Sequence, residues 1–183
     1  MPPSLECCSV FGVSMALVGL VWAASLLLSY PVGAEEWCTG SMGGACPPTW
    51  HQWGMECYKA TGRKLAWLKA TKECAQMGGV MAVPQSKSES QVLLDLMPRG
   101  ETRIWIGCTD EQVEGRWVCW EGVRVVPLKE MPWAMGEPNN NSGGAAENCA
   151  VLNSSGDWND IPCKDVVNLF TVCKQPATPL LHF

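Results

Sequence analysis

The stretch that decides the fold runs from position 133 to position 160 and reads WAMGEPNNNSGGAAENCAVLNSSGDWND. Its first half is rich in Gly and Asn and lacks the periodicity of a helix or a strand, which predicts a long irregular loop. Such loops are usually functional or disordered. Within the stretch, Glu137-Pro138-Asn139, Glu147 and Asn159-Asp160 supply three carboxylates and two amides, all of them hard oxygen donors. Calcium takes about six to eight oxygen ligands and accepts this mixture, whereas magnesium prefers fewer protein ligands and more water.

The rest of the composition narrows the function further. The chain has 183 residues, 11 of them Cys and only two His, with a net charge of −5. So few His leave little for a His-based metal or acid–base site. The charge balance offers no basic patch, so we expect no nucleic-acid partner. Because no Cys-x-x-Cys motif occurs, a set of structural disulfides is the better interpretation of the cysteines.

The first 34 residues predict a targeting segment rather than part of the fold. Residues 10–28 are apolar, and the small residues Val32 and Ala34 fit a signal-peptidase site with cleavage after Ala34. The alternative is a retained type II membrane anchor through 10–28, since about 19 apolar residues can span a bilayer. Either route places the remainder in an oxidising compartment, and we expect a secreted, extracellular protein. The predicted divisions are a signal peptide at 1–34, a linker at 35–45, a domain at 46–174 and a flexible tail at 175–183.

Secondary-structure signals predict two early helices followed by short strands. One helix is expected over 64–77, and a second begins at the N-cap Ser86 with Glu89 three residues later. Strands are expected around Cys57 and at 80–83, 103–108, 116–120, 149–152, 158–160 and 169–174. This order favours an α+β domain over alternating βαβ units.

Several motifs in this order resemble the C-type lectin family. They are Trp105-Ile106-Gly107, Trp133 before Gly136-Glu137-Pro138-Asn139, Glu147-Asn148-Cys149, Trp158-Asn159-Asp160 and the final Cys173. The opening Cys46-Pro47 and Cys57-Tyr58 resemble the family's long form, which carries an extra N-terminal hairpin. The resemblance covers 46–174. It implies the C-type lectin-like fold: two helices, short antiparallel strands, a long calcium-binding loop and stapling disulfides.

The resemblance also implies three disulfides: Cys46–Cys57, Cys74–Cys173 and Cys149–Cys163. Cys108 and Cys119 lie outside the common pattern, but they flank a turn between two predicted strands, so a Cys108–Cys119 bridge across that hairpin is the natural expectation. Cys38 is then left over in the linker. It predicts either an interchain bond in a disulfide-linked homodimer or a capped or buried free thiol.

Carried over from the family, the principal calcium ligands are Glu137, Asn139, Glu147, Asn159 and Asp160, and the Glu137–Pro138 bond is expected to be cis. The same residues would bind carbohydrate. Two vicinal equatorial hydroxyls of a sugar would share the calcium, each donating to a carboxylate and accepting from an amide. In the family the Glu-Pro-Asn order accompanies mannose, N-acetylglucosamine and fucose, so we expect mannose-type glycans as partners and innate immune recognition of glycans as the setting.

A second, weaker calcium site would use the family positions that match Asp110, Glu114, Asn140 and Asn148. Asn148 is an amide where a carboxylate is common, which lowers the ligand charge. Asn140 also begins a glycosylation sequon, as does Asn153, and we expect Asn153 to be the more usable acceptor.

Two other functions compete with the lectin interpretation. A pair of loop carboxylates could serve a glycosidase as acid and base, but calcium would claim all of them, so no catalytic residue and no enzymatic activity is expected. The stronger competitor is a domain of this fold that binds a protein or another non-sugar surface and uses calcium only to order its loop.

Overall fold

The computed structural model describes residues 44–141, 143–164 and 167–179. The predicted signal segment and Cys38 lie outside these residues. The elements, in chain order, are β1 (His51–Trp53), β2 (Glu56–Ala60), α1 (Trp67–Gln76), β3 (Val80–Met81), α2 (Lys87–Leu96), β4 (Arg103–Thr109), β5 (Val118–Glu121), β6 (Arg124–Val125), β7 (Cys149–Asn153), β8 (Trp158–Ile161) and β9 (Val172–Pro176). Two helices with antiparallel strand pairs confirm the predicted α+β class.

The strands form two sheets, and buried side chains from both sheets pack into two apolar clusters. The first sheet has the order β1-β2-β9-β3, and the second has the order β6-β5-β4-β7-β8. Their inner faces and helix α2 contribute buried apolar side chains, among them Tyr58, Leu93, Ile104, Leu152 and Val172. Trp105 and Trp158 are fully buried, whereas Trp117 is only partly buried against the core. The second sheet is the one that carries the loop residues of interest.

Helix α2 begins where the sequence predicts. The Ser86 hydroxyl oxygen accepts a hydrogen bond from the Glu89 amide at 3.0 Å. The Glu89 carboxylate in turn accepts from the Gln85 amide at 2.9 Å, so two amides at the start of the helix have partners. Val92 and Leu93 then face the core.

Helix α1 begins three residues later than the predicted 64. Leu65 is extended there and exchanges two backbone hydrogen bonds with Leu169, at 2.9 and 3.0 Å. The helical period therefore starts at Trp67, after this bridge. Ala70 and Cys74 form the buried face of the helix, and the disulfide of Cys74 fastens it to β9.

The folded part extends past the predicted domain boundary at 174. Strand β9 continues to Pro176, Ala177 is buried, and Thr178 exchanges backbone hydrogen bonds of 2.8 and 3.0 Å with Ala45. The prediction of a flexible tail from 175 is therefore wrong for 175–178. The linker prediction is likewise wrong at its last residue, because Ala45 is the partner in that bridge.

Four disulfides join the described cysteines: Cys46–Cys57, Cys74–Cys173, Cys108–Cys119 and Cys149–Cys163. They are the same four pairs that the sequence analysis predicts. Cys108 and Cys119 are direct cross-strand neighbours in the β4–β5 pair. The bond between Cys74 and Cys173 closes a sequence separation of 99 residues, and such a long closure stabilises by roughly 4–5 kcal/mol on the loop-entropy argument.

A buried ionic cluster, which we call the Lys174 cluster, joins the two sheets to α2. The Lys174 amine donates to Glu89 at 3.1 Å and contacts Glu121, and all three side chains are at least 93% buried. The Tyr58 hydroxyl also donates to Glu89, at 2.9 Å. Burial alone lowers the pKa of Lys174, but hydrogen bonds to Glu121 and Glu89 and their negative charges outweigh it, so the pKa is raised. Lys174 therefore stays charged inside the domain.

Helices α1 and α2 have ten residues each. Within the described ranges, no helix has the length and apolar character needed to cross a bilayer.

Candidate functional site

The hairpin of β7 and β8 positions one half of the predicted ligand set. Ala150 pairs with Asp160 and Val151 with Asn159 in the antiparallel register. Glu147 lies just before this hairpin, and the Cys149–Cys163 bond ties the segments on either side together. Residues that are twelve or more positions apart in sequence are thereby brought to one end of the sheet.

The segment before Glu137 runs beside β8 and positions the other half. The Trp158 amide donates to the Pro132 carbonyl, and the Ala134 amide donates to the Trp158 carbonyl, both at 2.8 Å. The Trp133 ring packs edge-on against Trp158, with 5.8 Å between ring centroids. Ala134 is therefore bonded to the residue that precedes Asn159, and Glu137 follows Ala134 by three positions. The Glu137–Pro138 bond is cis, as the resemblance implies.

The Asp160 carboxylate binds the backbone of the loop at residues 139 and 140. It is 1% exposed and accepts hydrogen bonds from two loop amides: Asn139, at 3.1 Å to each oxygen, and Asn140, at 2.8 Å. Sequence analysis assigned Asp160 as a ligand only and missed this role. No sequence signal marks a carboxylate that will accept backbone amides some twenty positions away.

The rest of the loop is closed by its own polar groups. The Asn141 amide donates to Asn139 Oδ1 at 2.7 Å and to Glu147 Oε2 at 2.9 Å. The Glu147 amide donates to Asn140 Oδ1 at 2.7 Å. These bonds hold the loop in a fixed shape while the second carboxylate oxygen of Glu147 forms no hydrogen bond among the described residues.

Several buried oxygens of the predicted ligand residues have no hydrogen-bond partner in the part of the chain that the structure describes. In the first set these are Glu137 Oε2 and Asn159 Oδ1, and in the second set they are Asp110 Oδ1 and Asn148 Oδ1. A buried acceptor left without a partner costs about 1–3 kcal/mol, so four such atoms in two small groups call for a donor or a cation. The residues therefore fit a bound divalent ion at each place. Among the described residues no three His, Cys, Asp or Glu side chains group as a metal site by themselves; the sets here mix carboxylate with amide oxygens.

The electrostatics of the first set are those of crowded carboxylates. Burial of Glu137, the hydrogen bond and charge of Asp160, and the charge of Glu147 raise the pKa of Glu137 to about 7. The raised pKa means that the fully ionised cluster is unfavourable without a compensating positive charge. A divalent cation would supply that charge.

The second set is less complete. Asp110 is 2% exposed, and its Oδ2 accepts from the Gly115 amide at 2.8 Å. Glu114 lies on the surface, where desolvation and the charges of Asp110 and Asp160 raise its pKa. The Oδ1 of Asn140 is already engaged with the Glu147 amide. The structure therefore brings Asp110 and Asn148 together at a backbone contact, the Asp110 amide donating to the Asn148 carbonyl at 3.3 Å, but it gives Asn140 another role.

The fold and the site together identify the chain as a member of the C-type lectin family. The family's sequence model, described as "Lectin C-type domain", matches residues 63–175. The chain is 33% identical over 144 residues to mouse "C-type lectin domain family 4 member E", covering 75% of this chain, and 39% identical over 101 residues to chicken "Mannose-binding protein", covering 55% of this chain. Among solved structures, the cow carbohydrate-recognition domain of CD23, determined in the presence of a GlcNAc2Man3 oligosaccharide, superposes with a TM-score of 0.64 at 28% identity, covering 74% of this chain and 99% of that chain.

The chain matches only part of the length of these two relatives. The chain spans 64% of the length of the mouse relative and 37% of the length of the chicken relative. Members of the family are binding proteins rather than enzymes, many of them carbohydrate-binding, which supports a binding function for this chain at the family level.

Proposed function

We propose that this protein binds mannose-type glycans through a calcium ion held by Glu137, Asn139, Glu147, Asn159 and Asp160. The observation that carries the proposal is the pair of buried oxygens, Glu137 Oε2 and Asn159 Oδ1, that have no hydrogen-bond partner among the described residues. The Glu-Pro-Asn order favours mannose, N-acetylglucosamine and fucose, and the paired Cys46 and Cys57 support membership of the long form.

The chain's own residues would each act twice. Bound calcium would supply coordination positions for two vicinal sugar hydroxyls. The carboxylate of Glu137 would accept a hydrogen bond from one sugar hydroxyl, and the side-chain amide of Asn139 would donate a hydrogen bond to the oxygen of the same hydroxyl. Glu147 and Asn159 would do the same for the other hydroxyl. Because the residues 139–141 at this edge are exposed, the site is shallow and a single sugar would be held weakly. Useful affinity would then require several copies of the site, which a disulfide-linked homodimer through Cys38 would begin to provide.

The decisive measurement is retention of the chain on immobilised mannose. We expect retention in calcium, release by a chelator and release by free mannose, with little retention on a matched galactose matrix. Retention that ignores the chelator would contradict the lectin mechanism and favour a domain that binds a non-sugar surface with calcium only ordering the loop.

Acid should release the sugar. The pKa of Glu137 lies near 7 in the metal-free domain, and calcium binds only the carboxylate, so binding displaces a proton below that pH. The affinity for calcium should therefore fall about tenfold per pH unit for each proton displaced as pH drops below about 7. A titration of mannose retention follows this directly, and retention that stays flat to about pH 4 would contradict the ligand assignment.

Four further assignments belong to the same proposal. The two unpartnered oxygens of Asp110 and Asn148 support the second, weaker calcium site with Glu114. The four disulfides support passage through an oxidising compartment, which both routes share. Secretion after cleavage at Ala34 is the proposal, with the membrane anchor through 10–28 as the alternative. Asn153 is the proposed glycan acceptor.

A non-reducing gel tests the role of Cys38. We expect a dimer that disappears on reduction and in a Cys38→Ser variant.

A further inference from the structure

The loop that connects β4 and β5 carries part of the second set of oxygens, and a disulfide closes its base. The loop spans residues 110–117. Among the described residues, β4 and β5 pair at two positions behind this loop, Cys108 with Cys119 and Thr109 with Val118. The bond between Cys108 and Cys119 therefore lies at one of the two places where these strands are held together.

Strand β4 is held less regularly on its other side. Its register with β7 is irregular between Trp105 and Thr109, and Thr109 then pairs with Cys149. Thr109 is the last residue of β4, and Asp110 follows it directly. The position of Asp110 therefore depends on how firmly the end of β4 is fixed, and the disulfide lies one residue before Thr109.

Hydrogen bonds inside the loop engage one carboxylate oxygen of Asp110 and leave the other for a ligand. The Gly115 amide donates to Asp110 Oδ2 at 2.8 Å, and the Val113 amide donates to the Asp110 carbonyl at 3.0 Å. Asp110 Oδ1 and Asn148 Oδ1 are both buried without a partner in the described part of the chain. The bond from the Asp110 amide to the Asn148 carbonyl is 3.3 Å long, against about 2.9–3.0 Å for a typical bond of this type. This contact alone positions the two residues weakly, so the strands behind it matter.

The second set has little negative charge to compensate for a loosely held loop. Asn148 supplies an amide oxygen where the family commonly has a carboxylate, and Glu114 is exposed. Affinity for calcium depends on the number of charged ligands and on the rigidity of the site. A loop that has to be ordered when the ion binds subtracts its ordering cost from that affinity. With fewer charged ligands, rigidity has to contribute more.

We propose that the Cys108–Cys119 disulfide positions the second calcium site, because it holds the 110–117 loop with Asp110 beside Asn148 before an ion binds. The two cysteines lie outside the family's common cysteine pattern, so the fold itself does not require this bond. Both are at most 1% exposed, which protects the bond from solvent. The inference rests on the second calcium site of the proposed function and is independent of the mannose site.

The test is a calcium titration of the full chain, followed by backbone-amide NMR. The amides of Gly115 and Asn148 report the second site, and the amide of Asn139 reports the first. Cys108→Ala combined with Cys119→Ala should weaken the transition at the second-site amides by about tenfold, because the loop then has to be ordered by the ion. The transition at Asn139 should move by less than about twofold, since its ligands lie on other segments.

The matched control removes the disulfide between Cys46 and Cys57, which has the same sequence separation of 11 residues but belongs to the N-terminal hairpin. Cys46→Ala combined with Cys57→Ala should leave the second-site transition unchanged. Asp110→Asn keeps every disulfide but removes the charge of the buried ligand, and it should abolish the second-site transition. This variant assigns the amide shifts to the ion.

Equal calcium affinity at the second site with and without the Cys108–Cys119 bond would overturn the inference, and so would an equal loss in the hairpin control. A double variant that does not fold even in calcium would also overturn it, because the bond would then hold the whole domain and not one loop. A parent protein without a second-site transition, or a transition that persists in Asp110→Asn, would reject the second calcium site itself and the inference with it. Mannose retention in calcium is measured separately and is unaffected by these outcomes.

Discussion

Replacing Asn159 by Asp should abolish calcium-dependent retention on mannose while the domain stays folded. The change is nearly isosteric, so the side-chain oxygen of residue 159, buried and unpartnered in the parent, remains available as a metal ligand. The lost group is the amide N–H that would donate to a sugar hydroxyl. In the variant a carboxylate oxygen faces the sugar hydroxyl oxygen that has lost its donor, and leaving such a group unsatisfied costs about 1–3 kcal/mol, which corresponds to a loss of roughly 5- to 150-fold in affinity. Because the parent protein would bind a single sugar weakly, a further loss of this size should leave no measurable retention on mannose.

The complementary variant is Glu137→Gln, which removes the acceptor for the first hydroxyl and should also abolish retention. Calcium titration separates the two: Asn159→Asp adds negative charge beside Glu137 and Asp160 and should bind calcium at least as tightly as the parent, whereas Glu137→Gln should bind it more weakly. Unchanged thermal unfolding in both variants is the check on folding. If either protein still elutes from mannose like the parent, the ligand assignment is wrong.

The elements that the sequence predicts well are those encoded locally. The cap of α2 is an example, because Ser86 and Glu89 lie three residues apart and the hydrogen bonds of the cap involve only neighbours. The oxygen donors of the candidate site also lie in one contiguous stretch, and a short hairpin is sufficient to bring Asn159 back to Glu147. The pairing of Cys149 with Cys163 was implied by the resemblance to the family, and the hairpin of β7 and β8 lies between the two cysteines.

Features that arise from distant pairing are not visible in this way. The start of α1 moved because Leu65 bonds to Leu169, a partner more than a hundred positions away. Strand β1 is not visible in the residue pattern, because its three residues are exposed and show no alternation of buried and exposed side chains. Only the resemblance to the long form implied a hairpin at this place.

The Lys174 cluster is the largest feature that the sequence conceals. A lysine in a predicted strand is ordinarily interpreted as a solvent-facing residue, and Glu89 is fully accounted for by its helix cap. Only the packing of α2 and β5 onto the first sheet shows that Glu89 and Glu121 meet at the same amine. Three charges from distant segments are thereby buried together.

Replacing Lys174 by Met should be among the most destabilising single changes in the domain. The two carboxylates would stay buried without their shared cation, and breaking a buried ion pair from one side costs about 3–5 kcal/mol. Glu121 would retain only its contact with the guanidinium of Arg124, which is largely exposed, whereas Glu89 would keep the Tyr58 hydroxyl and the Gln85 amide. Because the pKa of Lys174 is raised in the folded state, the amine is charged throughout the neutral range and its contribution is lost only when pH rises above the ordinary range of lysine.

Denaturant unfolding with disulfides intact and calcium held constant measures this cost. The matched control is Lys64→Met, which removes an ion pair of similar length, 2.9 Å to Glu101, from a site where the lysine side chain is 46% exposed; an exposed pair contributes about 0–1 kcal/mol. A third protein, Lys174→Met with Glu89→Gln and Glu121→Gln, separates charge from packing. If unpaired buried charge causes the loss, neutralising both acids should recover most of it, since an uncharged set in the same place avoids the desolvation penalty. If Lys174→Met costs no more than Lys64→Met, the cluster does not stabilise the junction between the sheets. If the triple variant recovers nothing, the lysine acts through its packed aliphatic stem and not through its charge.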